Sequence, residues 1–417
     1  MRATSTLFRF LSDFLIDLPP RLLGVVEESM EAIWRGQELT LTGIGRNILG
    51  RTRVKHKIKR AYRLLSNPLL HRAFNPLFAN IAARLIDPGS RPILLVDWTC
   101  FDDTHYAIVA STPHRGRAIP VYIEVHPKSR YASPDVEQAF LNTLNNAILP
   151  LNARPVLVSD AGFRNPWLRE VNRLGWDFVG RLRGPVTVQP EDSTSDVWLH
   201  HYLLFERDSE RPSELGVYRC AKSNPLSSRL VLVHSRAPRK PSQRRSGLRS
   251  HRTNDEAYRK AAAEPWLLVT SLELSTFPAQ SVVEIYGLRM QIEEEFRDDK
   301  NRDSGVGLDA SRSRTPSHLR GLRWLGALTS LLTQTVGQVG EMLGLHRHYQ
   351  SNTTSDRRVL SLTFLGRQML LHEDRRALSL KRLQDAWRAI RATVDVSRFA
   401  SRTIESVDGE ESENKAA

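Results

Sequence analysis

Apolar positions keep a helical period in the first part of the chain and change to strand-like runs near residue 90. Val54, Ile58, Ala61 and Leu65 stand three or four residues apart, the spacing of one helix face, and leave Arg51, Arg53, Lys55, Lys57, Lys59 and Arg60 largely on the other faces. A helical domain is therefore expected over residues 1–85. After Pro92 the pattern becomes one of short runs. Ile93–Val96 ends in Asp97, and Tyr106–Ala110 and Ile119–Val125 follow, separated by a turn at Pro113 and Gly116. Ser133 and Pro134 signal a helix start with the serine as N-cap, and that helix is expected to reach about Leu149. Pro155–Ser159 is another buried run that ends in an acid, Asp160. A second helix starts near Asn165 and Pro166, and Trp176–Val179 reads as a fifth strand.

This order places one carboxylate on the first strand and another at the end of the fourth, and those two strands can lie side by side. The first part of a mixed α/β core thus spans 86–183. Residues 184–264 are irregular and rich in Ser, Pro and Arg, as expected of an inserted β and loop subdomain. Its stretch from Ser235 to Lys260 carries nine Lys or Arg against two acids, which suits either a DNA contact or a solubilising loop. The core resumes over 265–345, with a strand at Trp266–Leu274 and a helix over Val282–Lys300. Leu319–Leu343 is an apolar helix, but Arg320, Arg323, Gln334, Gln338 and Glu341 exclude it as a membrane span. A helical region over 346–404 and a disordered acidic tail over 405–417 complete the expected order.

Charge narrows the partner. The 417 residues include 60 Lys and Arg against 46 Asp and Glu, a formal net charge of +14. A chain so basic seeks polyanions, and each phosphate it neutralises releases counterions. The segment Arg46–Arg63 concentrates eight basic residues with no acid, so its face lacks the salt bridges that would make it an ordinary solvated surface. Double-stranded DNA is the expected partner, with no membrane. Arg9, Asp13 and Asp17 interrupt the apolar start, which reads as a helix of a cytoplasmic protein rather than a secretion signal. Two cysteines, Cys100 and Cys220, support neither a disulfide framework nor a thiolate zinc site.

Within the expected helix near 282–300, Tyr286, Arg289, Glu293, Arg297 and Lys300 recur at positions that share one polar stripe. A third carboxylate on such a helix can be delivered to the two strand aspartates. Together these residues resemble the bacterial insertion-sequence transposases of the cut-and-paste DDE type. The resemblance rests on the Tyr-x2-Arg-x3-Glu-x6-Lys signature (Tyr286, Arg289, Glu293, Lys300), on Leu-Val-Asp-Trp around Asp97 and on Ser-Asp-Ala-Gly-Phe around Asp160. It extends from the basic segment at 46 to about residue 330.

The resemblance implies an RNase H-like catalytic core with a mostly β insertion, flanked by helical N-terminal and C-terminal regions. It implies Asp97, Asp160 and Glu293 as catalytic and metal-binding residues, with Mg²⁺ as cofactor and Mn²⁺ as a substitute. Tyr286, Arg289, Arg297 and Lys300 would contact DNA. The implied reaction is cleavage at the element's terminal inverted repeats, a hairpin intermediate and joining to target DNA by a homodimer in a synaptic complex, in a bacterial, nucleoid-associated setting. Trp266 stands where related enzymes place a base-stacking tryptophan, or it is an ordinary core aromatic. Met290 replaces a second tryptophan found in some members. Asp298 and Asp299 read as solvated helix surface. A nuclease without strand transfer, or a non-catalytic regulator, is the alternative function.

Overall fold

The computed structural model describes residues 2–207, 211–234, 264–301, 305–351, 354 and 356–401. Strand β1 (Ile93–Cys100) begins with four consecutive apolar residues and is buried on both sides over that run, as a run without polar alternation requires. It pairs antiparallel with β2 (His105–His114), which pairs antiparallel with β3 (Arg117–Pro127). On its other edge β1 pairs parallel with β4 (Val156–Ser159), and β4 pairs parallel with β5 (Asp177–Leu182). The spatial order β3-β2-β1-β4-β5, with helices packed against it, is the expected RNase H-like core.

The connections follow from local chemistry. Helix α6 (Pro134–Thr143) starts at Pro134, and a wider turn over Leu144–Ile148 carries the chain on to Leu149. Ser133 holds the N-cap position, but its hydroxyl bonds the Asp135 carboxylate instead of a helix N–H. Helix α7 (Asn165–Arg173) links β4 to β5. Ahead of the core lie α1 (Arg2–Leu11), α2 (Pro20–Gly36), α3 (Leu41–Asn47), α4 (Val54–Leu65) and α5 (Pro68–Leu85), as the helical period predicts. Arg51 and Arg53 precede α4, in the turn that Gly50 opens with a left-handed backbone (φ +102°). Val54 is exposed, so the buried face of α4 is made by Ala61, Leu64 and Leu65.

The insertion adds to the same sheet. Strands β6 (Thr187–Pro190), β7 (Leu199–His200), β8 (Ser213–Cys220) and β9 (Leu226–Val233) join it through β10 (Trp266–Thr270), which is antiparallel to both β5 and β9. A ten-stranded sheet results among the described residues. The basic stretch 235–260 and the tail 405–417 lie outside them. Cys100 is exposed, Cys220 is buried, and neither is bonded to the other. Among the described residues no helix is long and apolar enough to cross a membrane.

The helix expected over 282–300 is two helices, α8 (Ala279–Gly287) and α9 (Met290–Lys300). Gly287, a weak helix former, ends the first. The junction is tightened: Leu288 N–H bonds Ile285 O, Arg289 N–H bonds Tyr286 O and Ile292 N–H bonds Arg289 O, each three residues back. Next comes α10 (Pro316–Met342), the apolar helix of the sequence pattern, followed by α11 (His346–Tyr349), α12 (Leu362–Leu371) and α13 (Leu380–Arg391). Gly337 and Gly366 let α10 and α12 touch through backbone, since a Cβ on either would collide with a carbonyl of the other helix.

One buried network holds α9 in register. Arg323 on α10, 2% exposed, pairs with Glu295 at 3.0 Å and with Asp299, while Ser111 of β2 donates to the second Glu295 oxygen at 2.7 Å. Burial pushes the Glu295 carboxyl up, and the Arg323 charge opposes that. Asp298, half-buried, pairs with Arg117 at 2.6 Å. The expectation of a solvated surface at Asp298 and Asp299 is thus corrected: the side of α9 that bears them faces neighbouring elements, where unpaired acids would be costly. Removing the cation alone leaves two buried acids unpaired. Arg323→Met should therefore destabilise the fold by about 3–5 kcal/mol, read as a lower urea midpoint, and adding Glu295→Gln should recover part of the loss.

Candidate active site

Parallel pairing of β1 with β4 sets Val96 opposite Ser159, so the next residues, Asp97 and Asp160, stand side by side where β4 ends. Each aspartate holds its own turn: Asp97 Oδ1 accepts Trp98 N–H at 2.7 Å, and Asp160 Oδ1 accepts Gly162 N–H at 2.8 Å. A Cβ on Gly162 would lie 2.9 Å from Asp160 Oδ1, so only glycine leaves that carboxylate room.

The α8–α9 junction brings the third acid. Arg289 Nη1 lies 3.4 Å from Asp97 Oδ2, and its Nη2 pairs with Glu293 Oε1 one turn along α9. One guanidinium therefore bridges two of the three expected catalytic carboxylates. Tyr286 is buried, and Trp266 meets it edge-on at 5.1 Å, half-buried at the start of β10. Glu293, Arg297 and Lys300 line an open cleft together with Asp97, and Lys300 Nζ lies 3.8 Å from Cys100 Sγ. Arg297 is exposed and pairs with Glu294. The structure thus gathers Asp97, Asp160, Tyr286, Arg289, Glu293, Arg297 and Lys300 around one place.

The remaining sequence candidates fall elsewhere. Arg51 and Arg53, in the turn before α4, and Lys55 and Lys59, on α4, are exposed and not part of the cleft lining. Lys57 is tied to Gly50 O at 2.8 Å and Arg60 pairs with Glu28 at 2.7 Å. Asp102, just past the end of β1, serves its own turn by accepting Thr104 and His105 N–H at 2.8 Å. Sequence reasoning missed Glu137, whose buried carboxylate accepts the Trp98 indole N–H at 3.1 Å, because a glutamate in a first helical turn carries no local mark of its partner. It also missed Tyr131. There the signal was present, since Lys128-Ser-Arg-Tyr131 sets an aromatic among cations.

Electrostatics tie the group together. Burial, then the neighbouring Asp160 charge, pushes the Asp97 carboxyl up to about 7, against the pull of Arg289 and the Trp98 N–H. Burial also lifts Glu137 to about 7, with Asp160 adding to the rise. Burial alone would lower Arg289, but Tyr286, Glu293, Asp97 and Asp160 outweigh it and keep the guanidinium firmly charged. Among the described residues no three acid, imidazole or thiol groups converge closely enough to cage an ion. The cation between Asp97 and Glu293 in this state is Arg289.

A raised carboxyl has a defined signature in stability. The folded chain keeps the Asp97 proton up to about pH 7, whereas the unfolded chain releases it near pH 4, so this group's contribution falls as pH rises through that window. In metal-free buffer Asp97→Asn should melt close to the parent at pH 4.5 and above it at pH 8, by the equivalent of a few kcal/mol. A constant difference across that range would remove Asp97 as the buried, repelled acid.

No curated protein matches the chain. The family model described as Transposase DDE domain matches residues 88–332, more than half of the chain, a span that contains Asp97, Asp160 and Glu293. The chain therefore belongs to the DDE transposase domain family, with the DNA-cutting function of that family.

Proposed function

We propose that this chain is the transposase of an insertion sequence, acting through Asp97, Asp160 and Glu293 on DNA bound at the element's terminal inverted repeats. The observation that carries the reading is that Asp97 and Asp160 end adjacent parallel strands while Arg289 ties Asp97 to the helix glutamate Glu293. Asp97 and Asp160 fit a hard divalent cation such as Mg²⁺, or Mn²⁺ in its place. They are oxygen donors; burial, and then the Asp160 charge, raises the Asp97 carboxyl, and a positive charge relieves that repulsion. Divalent ions held there supply the charge that stabilises the entering and leaving oxygens of a phosphodiester together.

The protein's own groups do the holding. Arg289 offers a planar fork for a phosphate once it exchanges its carboxylate partners, and Lys300 offers a point charge in the same cleft. Tyr286, buried beneath Arg289, keeps the guanidinium in place. Successive reactions at one such site give nicking by water, hairpin formation by the freed 3′-hydroxyl, reopening, and joining to target DNA. Two ends must be synapsed for this, and a homodimer does so. The exposed cations at Arg51, Arg53, Lys55 and Lys59 anchor the DNA outside the cleft.

The test is cleavage of a labelled duplex bearing the terminal repeats that flank the gene, with Mg²⁺, Mn²⁺ or EDTA. The parent should produce metal-dependent nicks and hairpins. Asp97→Ala, Asp160→Ala and Glu293→Ala should each cut at least about a thousandfold more slowly while binding the ends normally, a loss of roughly 4 kcal/mol of transition-state stabilisation. Binding without any cutting by the parent points to a non-catalytic regulator, and cutting without strand joining to a nuclease. The N-terminal cations make a separate prediction. Lys55→Ala with Lys59→Ala should reduce the slope of log affinity against log salt by about 2, the signature of two lost phosphate contacts.

A further inference from the structure

A second cavity lies across α9 from the cleft that holds Asp97 and Glu293. Its volume is about 290 Å³, near the low end of the range for small-molecule sites. Three helices enclose it together with α9: α2 brings Ile33 and Trp34, α10 brings Ser330 and Thr333, and α12 brings Phe364 and Arg367. Arg297 lines both spaces, so α9 is the partition between them.

An unbalanced cation sets this cavity apart. The acids on its α9 wall are already matched, Asp298 by Arg117 and Asp299 by Arg323, and Arg297 pairs with Glu294. Arg367 has no acid partner among the described residues. Its Nε bonds the Trp34 carbonyl at 3.1 Å, and burial, with no acid to oppose it, lowers the guanidinium. A half-buried cation of this kind is unfavourable until something else supplies the negative charge. One turn before it, on the same face of α12, the Thr363 hydroxyl is buried and has no hydrogen-bond partner among the described residues. Ser361, the N-cap of α12, and Thr363 and Phe364 in its first turn all line the cavity. A helix start carries partial positive charge and N–H groups that the helix itself leaves unbonded. That end of the cavity thus favours an anion, while Ile33, Trp34 and Phe364, the last 42% exposed, offer apolar surface beside it.

We propose that this cavity is a binding site for a small flat carboxylate, whose acid meets Arg367 and Thr363 and whose ring lies against Trp34 and Phe364, and that the occupant braces α9. The guanidinium presents a fork that a carboxylate can take with two bonds. An occupant packs on the side of α9 that bears Asp298 and Asp299, the side that sets the register of Glu293. Binding here is independent of the proposed DNA cutting, because Asp97, Asp160 and Glu293 take no part in it.

Titration calorimetry on the full chain in EDTA tests the site, with benzoate, 2-naphthoate and indole-3-acetate as probes and the primary amide of each as its uncharged counterpart. At least one acid should bind once per chain and about tenfold or more tighter than its amide. Arg367→Met should weaken that acid by about tenfold or more, with Arg367→Lys in between, since lysine keeps the charge and loses the fork. Ser330→Leu, which puts a larger side chain into the cavity, should block binding with Arg367 intact, and a thermal melt of each variant verifies that it is folded. With the acid bound, hydrogen exchange of the backbone amides over 295–301 should slow. No binding by any of the three acids at about 1 mM, equal binding of acid and amide, or parent-like affinity in both Arg367→Met and Ser330→Leu would overturn the site. Binding that leaves exchange in α9 unchanged would overturn the bracing.

Discussion

A buried acid set beside a second acid is the constraint around which this protein is built. Asp97 and Asp160 are neighbours because β1 and β4 are parallel and in register, and burial of Asp97 leaves its repulsion by Asp160 little screened. An arrangement of this kind is unfavourable by itself and persists only when surrounding structure over-determines it. Parallel pairing in the middle of a ten-stranded sheet supplies that rigidity. Arg289 supplies the opposing charge, and it reaches both Asp97 and Glu293 because it sits at a tightened junction between two helices.

The far side of α9 shows how the helix is held against this pull. Glu295 and Asp299 meet the buried Arg323, and Ser111 ties Glu295 to β2. Helix α9 therefore carries acids on two sides with different tasks. Those facing α10 and the sheet are fully paired and fix the register. Glu293, partly exposed, shares its cation with Asp97 and can exchange it. Such a division separates positioning from chemistry, since an acid locked to a buried arginine is poorly placed to trade partners.

The same economy appears in the aromatics and the sheet edge. Trp98 follows Asp97 directly, so whatever fixes its indole also steadies the strand residue that carries the acid, and Glu137 does this from the first turn of α6. The insertion, by continuing the core sheet through β10, places Trp266 against Tyr286 and so braces the helix that leads into Arg289. On the proposed reading, cations for DNA would stand at two levels: an exposed set around α4 for the duplex, and Lys300 in the cleft with Arg289 beside Asp97. Long-range attraction would depend on the first, and geometry at one phosphate on the second.

Much of this was legible in the chain itself. Short apolar runs ending in Asp97 and Asp160 announce buried strands with polar termini, and Glu293 stands out by its spacing from Tyr286, Arg289 and Lys300. Local period and spacing suffice there because each depends on neighbours within one element. What the tertiary structure alone decided depends on distant partners. The break at Gly287–Arg289 turned one expected helix into two. Asp298 and Asp299, hydrophilic by type, were drawn into ion pairs by Arg117 and Arg323, which lie on other elements. Glu137 and Tyr131 joined the site only because α6 and the end of β3 fold against Trp98. Periodicity records which face of an element is buried, but the partner that a charge or a ring finds there is set by contacts between residues far apart in the chain.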